Sequence, residues 1–178
     1  MPGVNTLDEV HALLRSLRGV WDEDAVDELD HALQSATQAF ADGADDELVL
    51  AAALHDLAHS PLFGDVAATH HDRVARDWLS PRFGERVGWL AGAHVAAKRF
   101  LAATVPGYAA TLSEVSADTL QHQGGPGADP VLVGHPWWSD ALRLRRYDDA
   151  AKDPHGVAVS IRDVLGVAER VLAKRCSR

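Results

Sequence analysis

A chain of 178 residues, 47% hydrophobic and 24% charged, carries enough apolar material for a buried core and reads most naturally as one domain. Its 17 basic and 26 acidic residues leave a net charge of −9, which argues against a general nucleic-acid or anionic-membrane binder; an anionic ligand would need local cations or a metal to attract it. The single cysteine, Cys176, excludes a disulfide framework and a thiolate metal cluster, and no basic, apolar leader or run near ~20 apolar residues is present, so a cytoplasmic location is expected.

Alanine is abundant, β-branched runs are short, and apolar positions recur near the helical period, so the expected fold class is all-α. The first helix is predicted over Thr6 to Leu17, with Val10, Leu13, Leu14 and Leu17 as its apolar stripe. After an acidic, aromatic loop from Trp21 to Asp24, a second helix runs from about Asp24 to Ala41, and His31 sits at the edge of its small, apolar face. Asp45 is a plausible N-cap for the third helix, LVLAAALHDLAHSP, from Leu48 to its end at Ser60-Pro61. His55 and Asp56 lie side by side there, with His59 four residues after His55 and on the same helical face.

The fourth helix is expected around Ala68 to Leu79, where phase with Val74 and Trp78 turns His71 inward and His70 outward. Ser80-Pro81 reads as an N-cap followed by proline at the first helical position, so the fifth helix should start there. Its stripe of Val87, Leu90, Ala91, His94, Lys98 and Leu101 buries a histidine and a lysine, unlike a plain core helix. A helical segment from about Ser113 to Gln121 aligns Ser116 with Thr119, Gly124 to Pro130 is a loop, and Pro136 opens a helix on which Trp138, Ala141, Arg145 and Asp148 share a face. A last amphipathic helix spans Ser160 to Ala173.

The polar residues on inward stripes are His31, His55, Asp56, His71, His94 and Asp148, on five helices that a bundle could gather at its centre. Four imidazoles and two carboxylates suit iron or manganese better than structural zinc. Six ligands are too many for one metal that keeps a position open, so two metals bridged by Asp56 is the economical reading. A second polar group lies one turn from several of these: His59 after His55, Lys98 after His94, Arg145 before Asp148. With Ser116 and Thr119, they suit an oxyanion held by charge-assisted hydrogen bonds. Taken singly, Lys98 could snorkel from the core edge, Arg145 could pair with Asp149, and Asp149 could compete with Asp148.

The order His31…His55-Asp56…His71…His94…Asp148 resembles the HD-domain superfamily of metal-dependent enzymes. More closely, the segments DHALQSAT, AAALHDLAHS, AGAHVAAKRFL, LSEVSADTLQHQGGP and LRLRRYDDAAK resemble the HD-domain mixed-valent di-iron oxygenases of phosphonate breakdown, relatives of myo-inositol oxygenase. The resemblance implies a single HD domain over 1–178, with a core of about 20–153 on which the N-terminal helix (6–18) and C-terminal helix (160–173) pack around a dinuclear metal centre. It further implies one iron held by His31, His55, Asp56 and Asp148 and the other by Asp56, His71 and His94. Asp56, His59 and Lys98 would stand at the catalytic centre, with His59, Lys98, Ser116, Thr119 and Arg145 at the phosphonate-binding positions. With O2 as co-substrate and an Fe(II)/Fe(III) pair as cofactor, the C–P bond of a 1-hydroxyalkylphosphonate, such as 2-amino-1-hydroxyethylphosphonate or an analogue, would be cleaved to a carboxylic acid and phosphate. The alternative is an HD-domain phosphohydrolase acting on a small phosphate ester or nucleotide.

One departure concerns substrate choice. Where glycine-forming members have Tyr-x-x-Glu, this chain has Trp21-Asp22-Glu23-Asp24. Trp21 and Asp24 are therefore expected to meet an ammonium by aromatic face and carboxylate, unless the loop merely anchors a tryptophan among solvated acids.

Overall fold

Side chains that accept the orphan amides of a first helical turn decide where several of the helices begin. Asp27 accepts from Asp30 N, Asp45 from Leu48 N and Ser113 from Ser116 N, and Ser160 forms a reciprocal capping box with Asp163. The computed structural model describes residues 2–67 and 69–177, without the side chains of 2–5. Among the described residues there are nine α-helices and no strand. They are α1 (Pro2–Ser16), α2 (Glu28–Ala41), α3 (Asp46–Leu54), α4 (His71–Phe83), α5 (Glu85–Thr104), α6 (Glu114–His122), α7 (Pro130–Val133), α8 (Trp138–Ala150) and α9 (Ile161–Cys176).

Helix α3 is apolar on every side from Leu48 to Leu54, and all seven of those residues are buried, as a central helix requires. Around it pack α2, α5, α8 and α9, while α1 lies on α9 and α4 lies along α5. One hydrophobic cluster runs through all seven of these helices. The contact of α4 with α5 is close because Gly88 has no side chain. A Cβ there would fall 2.0 Å from Ser80 Oγ and 2.9 Å from the Arg76 carbonyl oxygen. No helix among the described residues is long and apolar enough to cross a membrane.

Several boundaries differ from the sequence reading. Helix α2 begins at Glu28 rather than Asp24, because Asp27 is the residue that caps it. The Asp27 carboxylate also accepts from Gly19 N at 2.9 Å and pairs with Arg18, which pins residues 20–26 into a loop. The α3 helix stops at Leu54. Asp56 leaves the helical region at φ −102°, ψ 17°, and His59 follows in a 3-10 turn, Leu57–His59. Helix α4 starts at His71; Ala68, the expected start, lies outside the described residues. It then runs straight through Ser80-Pro81 to Phe83, so the proposed start of the fifth helix falls inside the fourth. Proline forfeits one hydrogen bond there, but the reversal needs a left-handed residue, and Gly84 at φ +103° supplies it. The predicted loop 124–130 leads into the short helix α7, whose first residue is Pro130, and the next helix opens at Trp138, two residues after Pro136.

Candidate metal centre

Three of the histidines are held the same way. His31 donates from Nδ1 to the Ala151 carbonyl at 2.9 Å, His55 to Ala52 at 2.8 Å and His94 to Ala91 at 2.5 Å. A carbonyl can only accept, so each ring has a proton on Nδ1 and turns Nε2 inward as the atom left for a second proton or a metal, the orientation that prepares an imidazole for ligation.

Those nitrogens converge on Asp56 from two sides. Its Oδ2 lies 3.5 Å from His31 Nε2 and 3.1 Å from His55 Nε2, while its Oδ1 lies 3.4 Å from both His71 Nε2 and His94 Nε2. Asp148 closes the first side, with Oδ1 3.4 Å from His31 and Oδ2 3.4 Å from His55. The result is two candidate ligand sets sharing Asp56: His31, His55, Asp56 and Asp148, and Asp56, His71 and His94. His55 Nε2 and Asp56 Oδ1 are buried with no hydrogen bond among the described residues, so both face a space that a shared proton or a cation would satisfy.

The electrostatics agree. Burial opposes the charged form of His55, yet the carboxylates of Asp56 and Asp148 outweigh it and push the imidazole up to about 10. His31 is likewise raised against its burial by Asp148 and Asp56. Burial works against ionised Asp56 and Asp148 too, and the neighbouring histidines, with Arg145 beside Asp148, nonetheless hold both well below the usual carboxylate range. The cluster demands positive charge, which protons or metal ions can provide.

A cavity of about 470 Å³, its open mouth included, adjoins the cluster and is lined by His59, Lys98, Ser116, Thr119 and Arg145 among others. Lys98, only 3% exposed, donates from Nζ to Thr119 Oγ1 at 3.0 Å; burial and then the nearby Arg145 charge push its ammonium down to about 8. His59 Nε2 lies 3.9 Å from Asp56 Oδ1 and 3.8 Å from Asp22 Oδ2. Arg145 is not a free cation. Its Nη1 contacts Asp148 Oδ2 at 2.7 Å, and its other nitrogens meet Asp149 and the Tyr108 hydroxyl. Asp149 thus pairs with Arg145 and Tyr108 instead of competing with Asp148.

The structure brings together all six inward polar residues and the five expected around an oxyanion. It leaves out the other two. Trp21 is 65% exposed and Asp24 is also exposed, and neither lines the cavity. Asp22 and Glu23 face it instead. The loop is closed by the Glu28 N to Val20 O bond at 2.8 Å, and Glu23 is drawn inward by Lys152, whose Nζ lies 2.7 Å from Glu23 Oε1 and 2.7 Å from Ser116 Oγ. His70 is exposed and bonds Thr69, in keeping with the choice of His71. The sequence reading missed Glu23, Glu28 and Lys152. Glu28 stands three residues before His31 and Lys152 four after Asp148, a spacing that could have found both; a residue in an aperiodic loop, such as Glu23, gives no such signal.

Fold and site together define an all-α protein built around a His/Asp cluster suited to metal ions. No protein-family model matches the chain. It is 34% identical over 140 residues to the hydroxymethylphosphonate dioxygenase of Gimesia maris, covering 73% of this chain and 70% of that protein. It is 35% identical over 132 residues to the 1-hydroxy-2-(trimethylamino)ethylphosphonate dioxygenase (glycine-betaine-forming) of Leisingera caerulea, covering 69% and 67% respectively. An uncharacterized protein of Acanthamoeba polyphaga mimivirus is 32% identical over 136 residues; the match covers 70% of this chain and 62% of that protein's length. The chain belongs to the family of the phosphonate dioxygenases.

Proposed function

We propose that this protein is a mixed-valent di-iron oxygenase that uses O2 to cleave the C–P bond of a 1-hydroxyalkylphosphonate, giving a carboxylate and phosphate. The reaction balances without an external reductant: both oxygen atoms of one O2 enter the products as C1 becomes a carboxyl group and phosphorus leaves as phosphate. The observation that carries the proposal is the two-sided placement of Asp56, whose Oδ2 faces His31 and His55 while its Oδ1 faces His71 and His94. On this reading His31, His55, Asp56 and Asp148 hold one iron, and Asp56, His71 and His94 hold the other. The irons supply the redox chemistry with O2 that side chains cannot.

The remaining residues bind and orient. Lys98 meets the phosphonate as a point charge, and Thr119, its hydrogen-bond partner on the same cavity wall, would turn its hydroxyl from the Ser116 carbonyl to an oxygen of the anion. Ser116 accepts from Lys152, which frees its own proton for the phosphonate once Glu23 gives way. Arg145 adds positive charge at the cavity wall while steadying Asp148. His59 spans the short gap between Asp56 and the cavity and is suited to donate to a phosphonate oxygen. Relatives named for a hydroxymethylphosphonate and for a trimethylamino analogue support the phosphonate class and leave the C1 substituent open.

The test is to load the protein with iron anaerobically, reduce it partially and record the paramagnetic signal of a mixed-valent pair, then add an (R)-1-hydroxyalkylphosphonate with and without O2. Phosphate should appear only with O2 and iron. Equal phosphate release without O2, or with magnesium alone, would identify a hydrolase instead.

A further inference from the structure

Residues 21–25 lie outside any helix, and Glu23 alone among them is not exposed. Its carboxylate receives three donors: Lys152 Nζ at 2.7 Å and Ser116 Oγ at 3.3 Å reach Oε1, and Ser113 Oγ reaches Oε2 at 3.0 Å. Lys152 also donates to Ser116 Oγ at 2.7 Å, and Ser116 is only 5% exposed. The Ser116 carbonyl accepts from Thr119 Oγ1 at 3.2 Å, and Thr119 accepts from Lys98, so these groups form one run along the cavity wall. An ammonium and two hydroxyls around a carboxylate are the same donors that a phosphonate would use, since both anions present charged acceptor oxygens.

We infer that Ser113, Ser116 and Lys152 form an oxyanion seat for which Glu23 and the substrate's phosphonate compete. The inference rests on the oxyanion reading of the cavity above; it adds Lys152 and Ser113 to the binding groups and makes Glu23 an internal competitor. A phosphonate held by Lys98, Thr119 and Ser116 would otherwise stand beside the Glu23 carboxylate, because Ser116 serves both, and two anions on one buried hydroxyl repel. The phosphonate has three oxygens and a higher charge, so it gains more than a carboxylate from the same ammonium. Release of Glu23 costs little packing. Trp21, Asp22, Asp24 and Ala25 are exposed, and the neck of the loop is closed independently by Glu28 N donating to Val20 O at 2.8 Å. Binding thus exchanges one anion for another in the seat and lets residues 21–25 swing away from the wall.

The test is a calorimetric titration of the Mn(II)-loaded full chain with inorganic phosphate. Glu23→Gln, which removes the competing charge, should bind phosphate several-fold more tightly than the wild type. Lys152→Met should bind it more weakly by about tenfold or more, the loss of one charged hydrogen bond, and Lys152→Arg should recover most of that loss. The double variant Glu23→Gln/Lys152→Met strands no carboxylate and should still bind more weakly than Glu23→Gln alone, which separates a lost donor from a disturbed loop. If Glu23 and Lys152 only anchor the loop, Glu23→Gln will bind phosphate no more tightly than the wild type, and that result would overturn the inference. Unchanged affinity in Lys152→Met, with affinity lost in Lys98→Met, would also overturn it while leaving the rest of the oxyanion site intact. A wild type that binds no phosphate would remove the oxyanion reading and the seat together. Phosphate release from substrate without O2 would instead remove the oxygenase reading alone, because a hydrolase can use the same seat.

Discussion

His71 and His94 point their Nε2 atoms at one another across 2.9 Å, and both nitrogens face the same oxygen of Asp56. Two imidazole lone pairs at that separation repel unless a proton or a cation lies between them. Substitution should therefore divide the ligand residues into classes. His94→Ala should leave a protein that binds one metal ion instead of two, and His31→Ala should lose the other ion. Asp56→Ala should weaken both by well over tenfold, since direct ligands outrank the supporting groups whose loss already costs ~10–100-fold. Metal analysis after gel filtration checks this, and a stable dinuclear spectrum in Asp56→Ala would contradict the bridging role.

Without metal, protons must serve in its place. His31 and His55 have folded-state pKa values raised above the ordinary histidine value, His55 to about 10. Stability from such groups is fully present below about pH 6.5 and is lost as pH rises toward 10, because the unfolded chain has already released those protons. Metal-stripped protein should thus melt at progressively lower temperature between pH 6.5 and 10, while metal-loaded protein should not. Metal affinity should rise through the same window as protons cease to compete. Parallel melting curves for the two forms would argue against an ion at this cluster.

Lys98 sets function against stability. Its ammonium is pushed down to about 8 by burial and by Arg145, so the charged form costs the fold on the order of 3 kcal/mol at neutral pH. The cost is fully present below about pH 8 and vanishes as pH rises past the unfolded value near 10.5. Lys98→Met should consequently raise the melting temperature at pH 7, and the gain should fade by pH 10.5. It should also weaken inorganic phosphate binding at least tenfold while sparing the metal. In the wild type that binding should decline above about pH 8, and Lys98→Arg, which stays protonated, should flatten the decline. Arg145→Met should behave differently, weakening metal as well as phosphate, because its Nη1 steadies Asp148 at 2.7 Å.

The approach of α4 to α5 gives a prediction away from the site. Gly88→Ala would drive a Cβ into Ser80 Oγ at 2.0 Å, Ser80 N at 2.8 Å and Arg76 O at 2.9 Å, two of them backbone atoms that cannot swing away. A loss of about 3 kcal/mol is expected. Gly92→Ala meets only the flexible Arg76 side chain, from 3.0 Å outward, and the helix-forming advantage of alanine should roughly offset that crowding. Thermal melts of the two variants should differ by many degrees; similar melts would mean the helices are not packed this closely.

Much of the site was legible in the residue pattern because helical periodicity reports which side chains of one helix face inward. His31 on α2, His94 and Lys98 on α5, and Arg145 with Asp148 on α8 all stood out as polar residues on otherwise apolar stripes, and phase alone distinguished His71 from His70. Periodicity says nothing, however, about how one helix is rotated against the next. It did not separate Arg145 the free cation from Arg145 the partner of Asp148 and Asp149, and it is silent in loops. Trp21 and Asp24 were accordingly expected at the cavity, where Asp22 and Glu23 stand instead.

The linear chain by itself determined the all-α class, the apolar third helix and the six His and Asp groups that face inward, since each follows from side-chain spacing and local capping. Tertiary structure alone decided that the two oxygens of Asp56 face different pairs of histidines, that Lys152 reaches Ser116 and Glu23, and that Glu28 is left without a partner. Those facts depend on the relative placement of helices far apart in sequence, which is set by packing such as the Gly88–Ser80 contact and by ion pairs between distant segments.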